Sequence, residues 1–452
     1  MSDKTDSNKT IRRGVRGGGC PMASRRQVLA GLGAVGAGGA LLSQADSAFA
    51  EAPANARAPA HVTDAPAADV QASRQSHPFY GLHQPGVSTP RPANGIVASF
   101  HTVLTSPDDM EAMFRELTDR IAFLMKGGAV PERDPKLPPA DSGLMGEVVE
   151  PDNLTVTVGL GASFFDKYDW IDESLKPVSL IRMEQFPNDA LRAEICHGDL
   201  SLQFNANTQD SCIYALRDVI KNLSSYLVLS WMQDGNVPTE IPPADGGRAP
   251  SARNFLGFRD GSANPDSTDD ALMDEIIWVG ADGGEPDWAV GGTYQAVRII
   301  RNFVERWDRT PLQEQEEIFG RRKVSGAPMA GGAEYDDFDY ADDPDGAITP
   351  LDAHIRLANP RDMGELPFIR RAFNYSNGVE KNGQIDQGLL FIAYQNDLNA
   401  GFISIQNRLN GEPLEEYIKP VGGGYFFVLP GAKDADDYVG RSLVEAVATT
   451  RS

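Results

Sequence analysis

The stretch Asn254-Phe-Leu-Gly-Phe-Arg-Asp-Gly-Ser-Ala-Asn-Pro265 places one carboxylate, Asp260, on a glycine-flanked turn after a short apolar run. Gly261 frees the backbone there, so amide groups can approach a ligand closely. The Asn-Pro pair at the end of the stretch then interrupts the local structure. A carboxylate on such a turn can be a buried proton shuttle, a metal ligand or a turn cap. Because Asp-Gly is a common turn pair, composition alone favours the cap.

The order of residues in this stretch is more specific than its composition. Residues 257–261 resemble the G-x-x-D-G motif of dye-decolorising (DyP-type) haem peroxidases, and the longer form resembles their EfeB-type branch of exported peroxidases and deferrochelatases. The resemblance implies that Asp260 is the distal acid-base residue. It also implies that Gly261, Ser262 and Ala263 pass over a bound haem b, where small residues permit close approach. An acidic working pH is expected, since an aspartate transfers protons best at a pH close to its ordinary, acidic pKa.

A second motif, Ala353-His-Ile-Arg-Leu-Ala-Asn-Pro-Arg361, resembles the proximal-ligand motif H-x-R-x-A-N-P-R of the same branch. An isolated histidine is more often structural than a metal ligand, but the resemblance implies that His354 binds the haem iron. It further implies that Asn359, Pro360 and Arg361 lie at the haem edge, where a guanidinium can pair with a propionate. The alternative for Arg361 is a solvated surface charge.

A third segment, Phe368-Ile-Arg-Arg-Ala-Phe-Asn-Tyr375, contains two adjacent arginines. Neighbouring residues on a strand face opposite ways, so only one of them can face the iron. The resemblance implies Arg370 as the distal arginine, which stabilises negative charge on the leaving oxygen, with Arg371 as the alternative.

Asp397 matches an acidic position of the family and is the candidate partner of the proximal histidine. Its alternative role is a helix N-cap.

Other segments resemble the same family in the same order along residues 77–435, among them Cys196-His-Gly-Asp199. His197 and Asp199 could suggest a metal site, but they lie in the half not expected to hold haem, so a structural role is favoured. Cys196 and Cys212 could form a disulfide in an oxidising compartment, with two buried free thiols as the alternative.

Hydrophobic periodicity predicts two β-α-β-β-α-β units, the order of a ferredoxin-like fold. The predicted elements of the first unit are strands near 94–104, 154–160, 200–206 and 227–232 and helices at 107–126 and 208–223. Those of the second are strands near 294–304, 389–394 and 425–429, a helix capped by Thr310 and a helix at 400–409. Residues 321–349 are acidic and irregular, which indicates a surface excursion.

The predicted fold class is therefore α+β, with two ferredoxin-like halves, antiparallel sheets and a resemblance to a dimeric α+β barrel. The predicted organisation is a leader at 1–50, a flexible linker at 51–76, an N-terminal domain at 77–245, a haem-binding domain at 246–440 and a tail at 441–452.

The first 50 residues are typical of a twin-arginine signal peptide. Arg25 and Arg26 precede an apolar, glycine-rich stretch, and Ala48-Phe-Ala50 offers a cleavage site. A disordered basic tail followed by an uncleaved anchor is the alternative. Without these residues the chain has 34 Lys and Arg against 61 Asp and Glu, a net charge of −27. This charge argues against nucleic acid or an anionic membrane as a partner.

Together these features predict an exported haem b peroxidase that uses hydrogen peroxide to oxidise dyes, phenols or other electron donors. The resemblance ties it to iron uptake, through haem deferrochelation or ferrous iron oxidation, and implies a homodimer and permease components as candidate partners. No membrane span is expected in the mature chain. It would reside in the periplasm or, with a single membrane, outside the cell. The alternatives are a non-enzymatic haem carrier and a haem-free binding protein.

Overall fold

Alternating apolar and polar residues build two β-α-β-β-α-β units in the computed structural model, which describes residues 72–238, 240, 248–359 and 368–451. The strands are β1 Asn94–Thr102, β2 Gly128–Ala129, β3 Val148–Val149, β4 Thr155–Gly161, β5 Leu200–Ala206, β6 Leu227–Asn236, β7 Thr293–Asn302, β8 Ile369–Arg370, β9 Phe373–Val379, β10 Ile385–Gln395 and β11 Ile418–Val428. The α-helices are α1 Pro107–Lys126, α2 Ala162–Lys167, α3 Gln209–Asn222, α4 Asp270–Ile276, α5 Val304–Trp307, α6 Leu312–Phe319, α7 His354–Ala358, α8 Ser404–Leu409 and α9 Arg441–Thr450.

The strands of both units join in one antiparallel sheet that closes into a barrel. The first unit contributes the order β4-β5-β1-β6, and the second contributes β9-β10-β7-β11. The units meet where β11 pairs with β4 and where β6 pairs with β9 at Asn236 and Asn374. The predicted α+β class with two ferredoxin-like halves is therefore confirmed, and one chain supplies both halves of the barrel.

The inside of the barrel wall carries polar side chains that satisfy one another. Gln203 of β5, Gln295 of β7 and Tyr394 of β10 are fully buried. The Gln295 amide donates to Gln203 Oε1 at 2.9 Å and to the Tyr394 hydroxyl at 3.0 Å. Because three different strands contribute, these bonds tie the two halves together across the barrel.

The outside of the first half is covered by long amphipathic helices. Ile96 and Phe100 of β1 are fully buried in one cluster with the apolar faces of α1 and α3. Helix α1 is started by Ser106, whose side chain accepts a hydrogen bond from the Asp109 N–H. This N-cap satisfies a helix terminus that would otherwise lack a partner.

Among the described residues, no long helix covers the outside of the second half in this way. Ile300 of β7 and Leu389 of β10 are paired in register and face the same side of the sheet. There the short helices α7 and α8 leave a cavity against the strands. The fold therefore leaves room for a ligand where the first half has helix packing.

Two predictions of local structure are corrected. Residues 441–450 form helix α9, whose Leu443 and Val447 are fully buried, so this segment is not a tail. Helix α6 begins at Leu312 with Pro311 at its N-cap position and no side-chain cap. The Thr310 hydroxyl instead donates to that of Tyr417.

Cys196 and Cys212 are free and buried, so the prediction of two buried free thiols is correct and that of a disulfide is wrong.

The signal peptide at 1–50 and most of the linker lie outside the described residues, as do Pro360 and Arg361. In the part of the chain that the structure describes, no helix is both long and apolar enough to cross a bilayer.

Candidate active site

A cavity lies against the outer face of the second half. Its walls are mainly apolar, as expected for a cofactor site. The apolar lining comes from β7 and β10, from α6, α7, α8 and the turn before α8, and from the stretch before Asp260. It includes Leu256, Phe258, Ile300, Phe319, Ile355, Ala358, Leu389, Phe391, Phe402, Ile405 and Leu409. The charged side chains Asp260, Arg370, His354 and Glu412 line the same cavity. The sequence motifs therefore converge on one site although they are separated along the chain.

Asp260 and Arg370 form an ion pair on the cavity wall. Arg370 Nη1 donates to Asp260 Oδ1 at 2.7 Å, and the two side chains are 23% and 12% exposed, respectively. The Asp260 N–H is bonded to the carbonyl of Ala252 at 2.9 Å, which fixes the start of the turn. Gly261 then has a φ of +136°, a conformation that glycine adopts without strain. A cation and a proton-accepting carboxylate therefore reach the cavity side by side.

The adjacent Arg371 points elsewhere. It is 4% exposed, does not line the cavity, and donates from Nη1 to the carbonyl of Thr89. Burial lowers the pKa of Arg371 to about 10, against the opposing effect of Tyr394 and with a smaller contribution from the repulsion of Arg91. The two arginines thus face opposite sides of the strand, and Arg370 is the one beside Asp260.

The loop after Asp260 contributes Ser262 and Ala263 to the cavity lining, whereas Gly261 serves the turn. The Ser262 hydroxyl donates to Glu334 Oε1 at 2.9 Å, and the same oxygen accepts the Ser251 N–H at 3.0 Å. Glu334 comes from the acidic segment 321–349 and is buried. That segment therefore supports the loop through a buried carboxylate and is not only a surface excursion.

His354 is the first residue of α7 and faces the cavity. Its Nδ1 lies 2.7 Å from Glu412 Oε2, and the carboxylate is only 3% exposed. Burial opposes the charged imidazole, but the charge and hydrogen bond of Glu412 outweigh it and raise the pKa of His354. A carboxylate on one ring nitrogen fixes the ring and leaves Nε2 for a metal.

The candidate partner Asp397 is therefore wrong. Its Oδ1 accepts the backbone N–H groups of Asn399 at 2.8 Å and Ala400 at 3.2 Å, which is the helix-capping role that the sequence left open. Glu412 was missed because it is 58 residues from His354, and no local pattern marks the pair. Asn359 is buried at the end of α7 and lines the cavity.

His197 and Asp199 lie in the first half and serve its structure. Asp199 accepts hydrogen bonds from Lys167 at 2.8 Å and from Ser163 at 2.6 Å. Burial alone would raise the pKa of Asp199, but these bonds outweigh it and lower the pKa. Within the described residues, no group of three or more metal-ligating side chains of this kind is found.

The site residues fit a haem. Haem peroxidase chemistry uses an imidazole, an apolar cavity and a distal acid with a cation. All of them are present, and Nε2 of His354 has no hydrogen-bond partner among residues that the structure describes. Compared with burial and Glu412, Arg370 and Asp260 have smaller and opposite effects on the pKa of His354, which Arg370 lowers and Asp260 raises.

Comparison with known proteins agrees with this geometry. Residues 84–236 match the N-terminal domain model of Dyp-type peroxidases, and residues 251–433 match the C-terminal one. The chain is 47% identical over 424 residues to a deferrochelatase of Shigella sonnei (strain Ss046), covering 93% of this chain and 97% of that protein. It is 50% identical over 376 residues to a deferrochelatase of Escherichia coli (strain K12), covering 82% and 88%, respectively.

Solved structures give the same result. The DyP-type peroxidase from Cellulomonas bogoriensis is 33% identical with a TM-score of 0.73, over 83% of this chain and 99% of that one. Ferric DtpA from Streptomyces lividans is 30% identical with a TM-score of 0.73, over 83% and 98%. The chain therefore belongs to the DyP-type peroxidase family and is a haem peroxidase with haem b as its cofactor.

Proposed function

We propose that this protein is an exported peroxidase of iron or haem handling, in which His354 binds the haem iron and Asp260 and Arg370 act on hydrogen peroxide. The observation that carries the proposal is the ion pair of Asp260 and Arg370, 2.7 Å apart, in the cavity that also holds His354. This arrangement joins a proton acceptor and a fixed positive charge in one cavity with a histidine whose Nδ1 alone is engaged within the described part of the chain.

Haem is held by a few contacts in this proposal. His354 binds through Nε2, since Nδ1 is engaged by Glu412. Ile300 of β7, Leu389 of β10 and Asn359 line the cavity. The two apolar side chains would pack against the porphyrin, and Asn359 would lie at its edge. Pro360 and Arg361 complete this edge in the sequence-based prediction. When bound, the haem supplies the redox-active iron at which peroxide is reduced.

Asp260 moves the proton in the peroxide step. Its carboxylate accepts the proton of one peroxide oxygen and returns it to the other oxygen, which leaves as water. Such proton transfer typically contributes about 10²- to 10⁴-fold to a rate. Arg370 stabilises the negative charge that develops on the leaving oxygen, which typically contributes about 10²- to 10³-fold. The ion pair also holds the Asp260 side chain in place.

The test compares purified wild-type holoenzyme with Asp260→Asn and Arg370→Leu. Both variants should retain haem and lose at least about 100-fold in the rate of reaction with hydrogen peroxide. Oxidation of a dye and of a phenol, measured from pH 3 to pH 8, should be fastest at acidic pH. Wild-type peroxide rates in both variants would exclude the assigned roles.

A second activity is favoured by the 47–50% identity to deferrochelatases over 82–93% of the chain. In deferrochelation the porphyrin takes up two protons and releases Fe²⁺, so no oxidant is needed. Anaerobic incubation with haem should then produce porphyrin fluorescence together with chelatable iron. Intact haem recovered from a protein that also lacks peroxide turnover would instead indicate the non-enzymatic haem carrier.

Export rests on the twin arginines Arg25 and Arg26 and on the cleavage site that ends at Ala50. Replacing both arginines with lysine should leave the protein in the cytoplasm. The wild-type protein should be found outside the cytoplasmic membrane with its first residue at Glu51. Export of the lysine variant at the wild-type level would contradict twin-arginine transport.

A further inference from the structure

Asn264 connects the two sides of the distal site. Its side-chain Nδ2 donates to the backbone carbonyl of Arg370 at 2.8 Å, and its Oδ1 accepts the backbone N–H of the same residue at 3.1 Å. We propose that Asn264 is a positioning residue, which holds the turn that carries Asp260 in register with the strand that carries Arg370. The proposal rests on the distal roles assigned to these two residues above.

The amide takes the place of a neighbouring strand. Strand β8 is only two residues long, and one of its edges pairs with β10, where Arg370 is opposite Ala393. Asn264 uses both polar groups of the Arg370 backbone in the same way as a paired strand would. The short strand is thereby held from a second direction.

The other end of this connection leads directly to Asp260. The Asn264 N–H donates to the carbonyl of Gly261 at 3.0 Å, which closes a tight turn immediately after the acid. The same turn is anchored on its other side by the bond of Ser262 to Glu334. The two hydrogen bonds from the Asn264 side chain to the Arg370 backbone, together with this turn, fix the backbone of Asp260 relative to that of Arg370.

Only an amide of this length suits the position. An asparagine donates and accepts at once, whereas an ionised aspartate only accepts and an alanine does neither. Asn264 does not line the cavity, so it does not touch the reacting groups. Its contribution is geometric, and misplacement of catalytic groups by about 1 Å can cost about 100-fold in rate.

The test uses Asn264→Ala and Asn264→Asp holoenzymes, with Asn94→Ala as the matched control. Asn94 also donates its side-chain amide to a backbone carbonyl, that of Asn207 at 2.6 Å, but in the first half. The readouts are haem content, the second-order rate with hydrogen peroxide, and the affinity of the ferric protein for fluoride. Fluoride is a small anion that the Arg370 guanidinium should stabilise when it binds beside the iron.

We expect Asn264→Ala to retain haem, to react with peroxide about 10- to 100-fold more slowly and to bind fluoride more weakly. Asn264→Asp should show a smaller loss of the same kind, and it decides the question if the alanine variant fails to fold. Asn94→Ala should match the wild type. Wild-type peroxide rates and fluoride affinity in the folded Asn264 variants would overturn the inference.

The same changes in an Arg370→Leu background separate this inference from the proposed function. If Asn264 acts through Arg370, its replacement should cost less than about twofold in that background, because coupled residues are not additive. An equal loss in both backgrounds would overturn the positioning role. A wild-type peroxide rate in Arg370→Leu alone would instead overturn the distal role of the arginine.

Discussion

Replacing Glu412 by glutamine should weaken haem binding without disturbing the shape of the site. Glu412 Oε2 lies 2.7 Å from His354 Nδ1, and the carboxylate is 3% exposed, so solvent screens the contact little. Glutamine preserves the volume and an acceptor oxygen but removes the charge. The ring remains oriented, while its basicity towards a metal at Nε2 falls.

The expected loss follows from the strength of this bond. A hydrogen bond to a charged group contributes about 1.5–3 kcal/mol, and a neutral one about 0.5–1.5 kcal/mol. The difference of about 1.5 kcal/mol corresponds to roughly tenfold in haem affinity. This value lies at the lower end of the about 10- to 100-fold losses seen when partners of metal-binding histidines are changed.

The assay measures haem transfer from holoprotein to an excess of apomyoglobin, followed at the Soret band. Asp397→Asn is the matched control, because Asp397 caps backbone N–H groups and does not contact His354. The control should retain wild-type affinity. Unchanged haem affinity in Glu412→Gln, or an equal loss in Asp397→Asn, would refute this account of the proximal site.

The other predictions concern stability and the thiols. Gly261→Ala should lower the free energy of unfolding by about 1–3 kcal/mol because its φ is +136°, whereas Gly280→Ala, with open space around it, should be nearly neutral in urea titrations. The pKa of Asp199 is lowered in the folded chain, so its ionised carboxylate stabilises the fold. This stabilisation is present above about pH 4 and is lost as pH falls through the folded pKa. Asp199→Asn should therefore have a lower free energy of unfolding than wild type at pH 7, with a smaller difference at pH 3. Cys196 and Cys212 should resist alkylation until the protein unfolds, since burial raises the pKa of both thiols, and a fast reaction in the native state would contradict their burial.

Much of the fold is predictable from local sequence patterns. Helix α1 occupies Pro107–Lys126, the range predicted from its apolar face, because a strong periodic pattern is supported by a capping serine and two early acids. Helix α9 was missed although Leu443 and Val447 are spaced as a helical face, since a short segment at the chain end gives a weak pattern. Where a strand ends depends on its pairing with neighbouring strands, and β6 extends to Asn236, beyond the predicted end at residue 232.

Only those site residues that stand in a contiguous sequence motif could be predicted. Asp260, His354 and Arg370 stand in such motifs, and the structure places all three on one cavity. Glu412 and Glu334 do not, because each meets its partner through tertiary packing between segments 58 and 72 residues apart. Partners of this kind need the folded chain before they can be identified.

Ligation of the haem iron by His354 is tested by comparing the spectrum of purified residues 51–452 with that of His354→Ala. We expect a Soret band and a histidine-ligated ferric signal in the wild type. In the variant, haem should be lost or its ligation changed, and added imidazole should restore the wild-type spectrum. A variant that binds haem with an unchanged spectrum would contradict the assignment of His354, and with it the cavity as the peroxidase site.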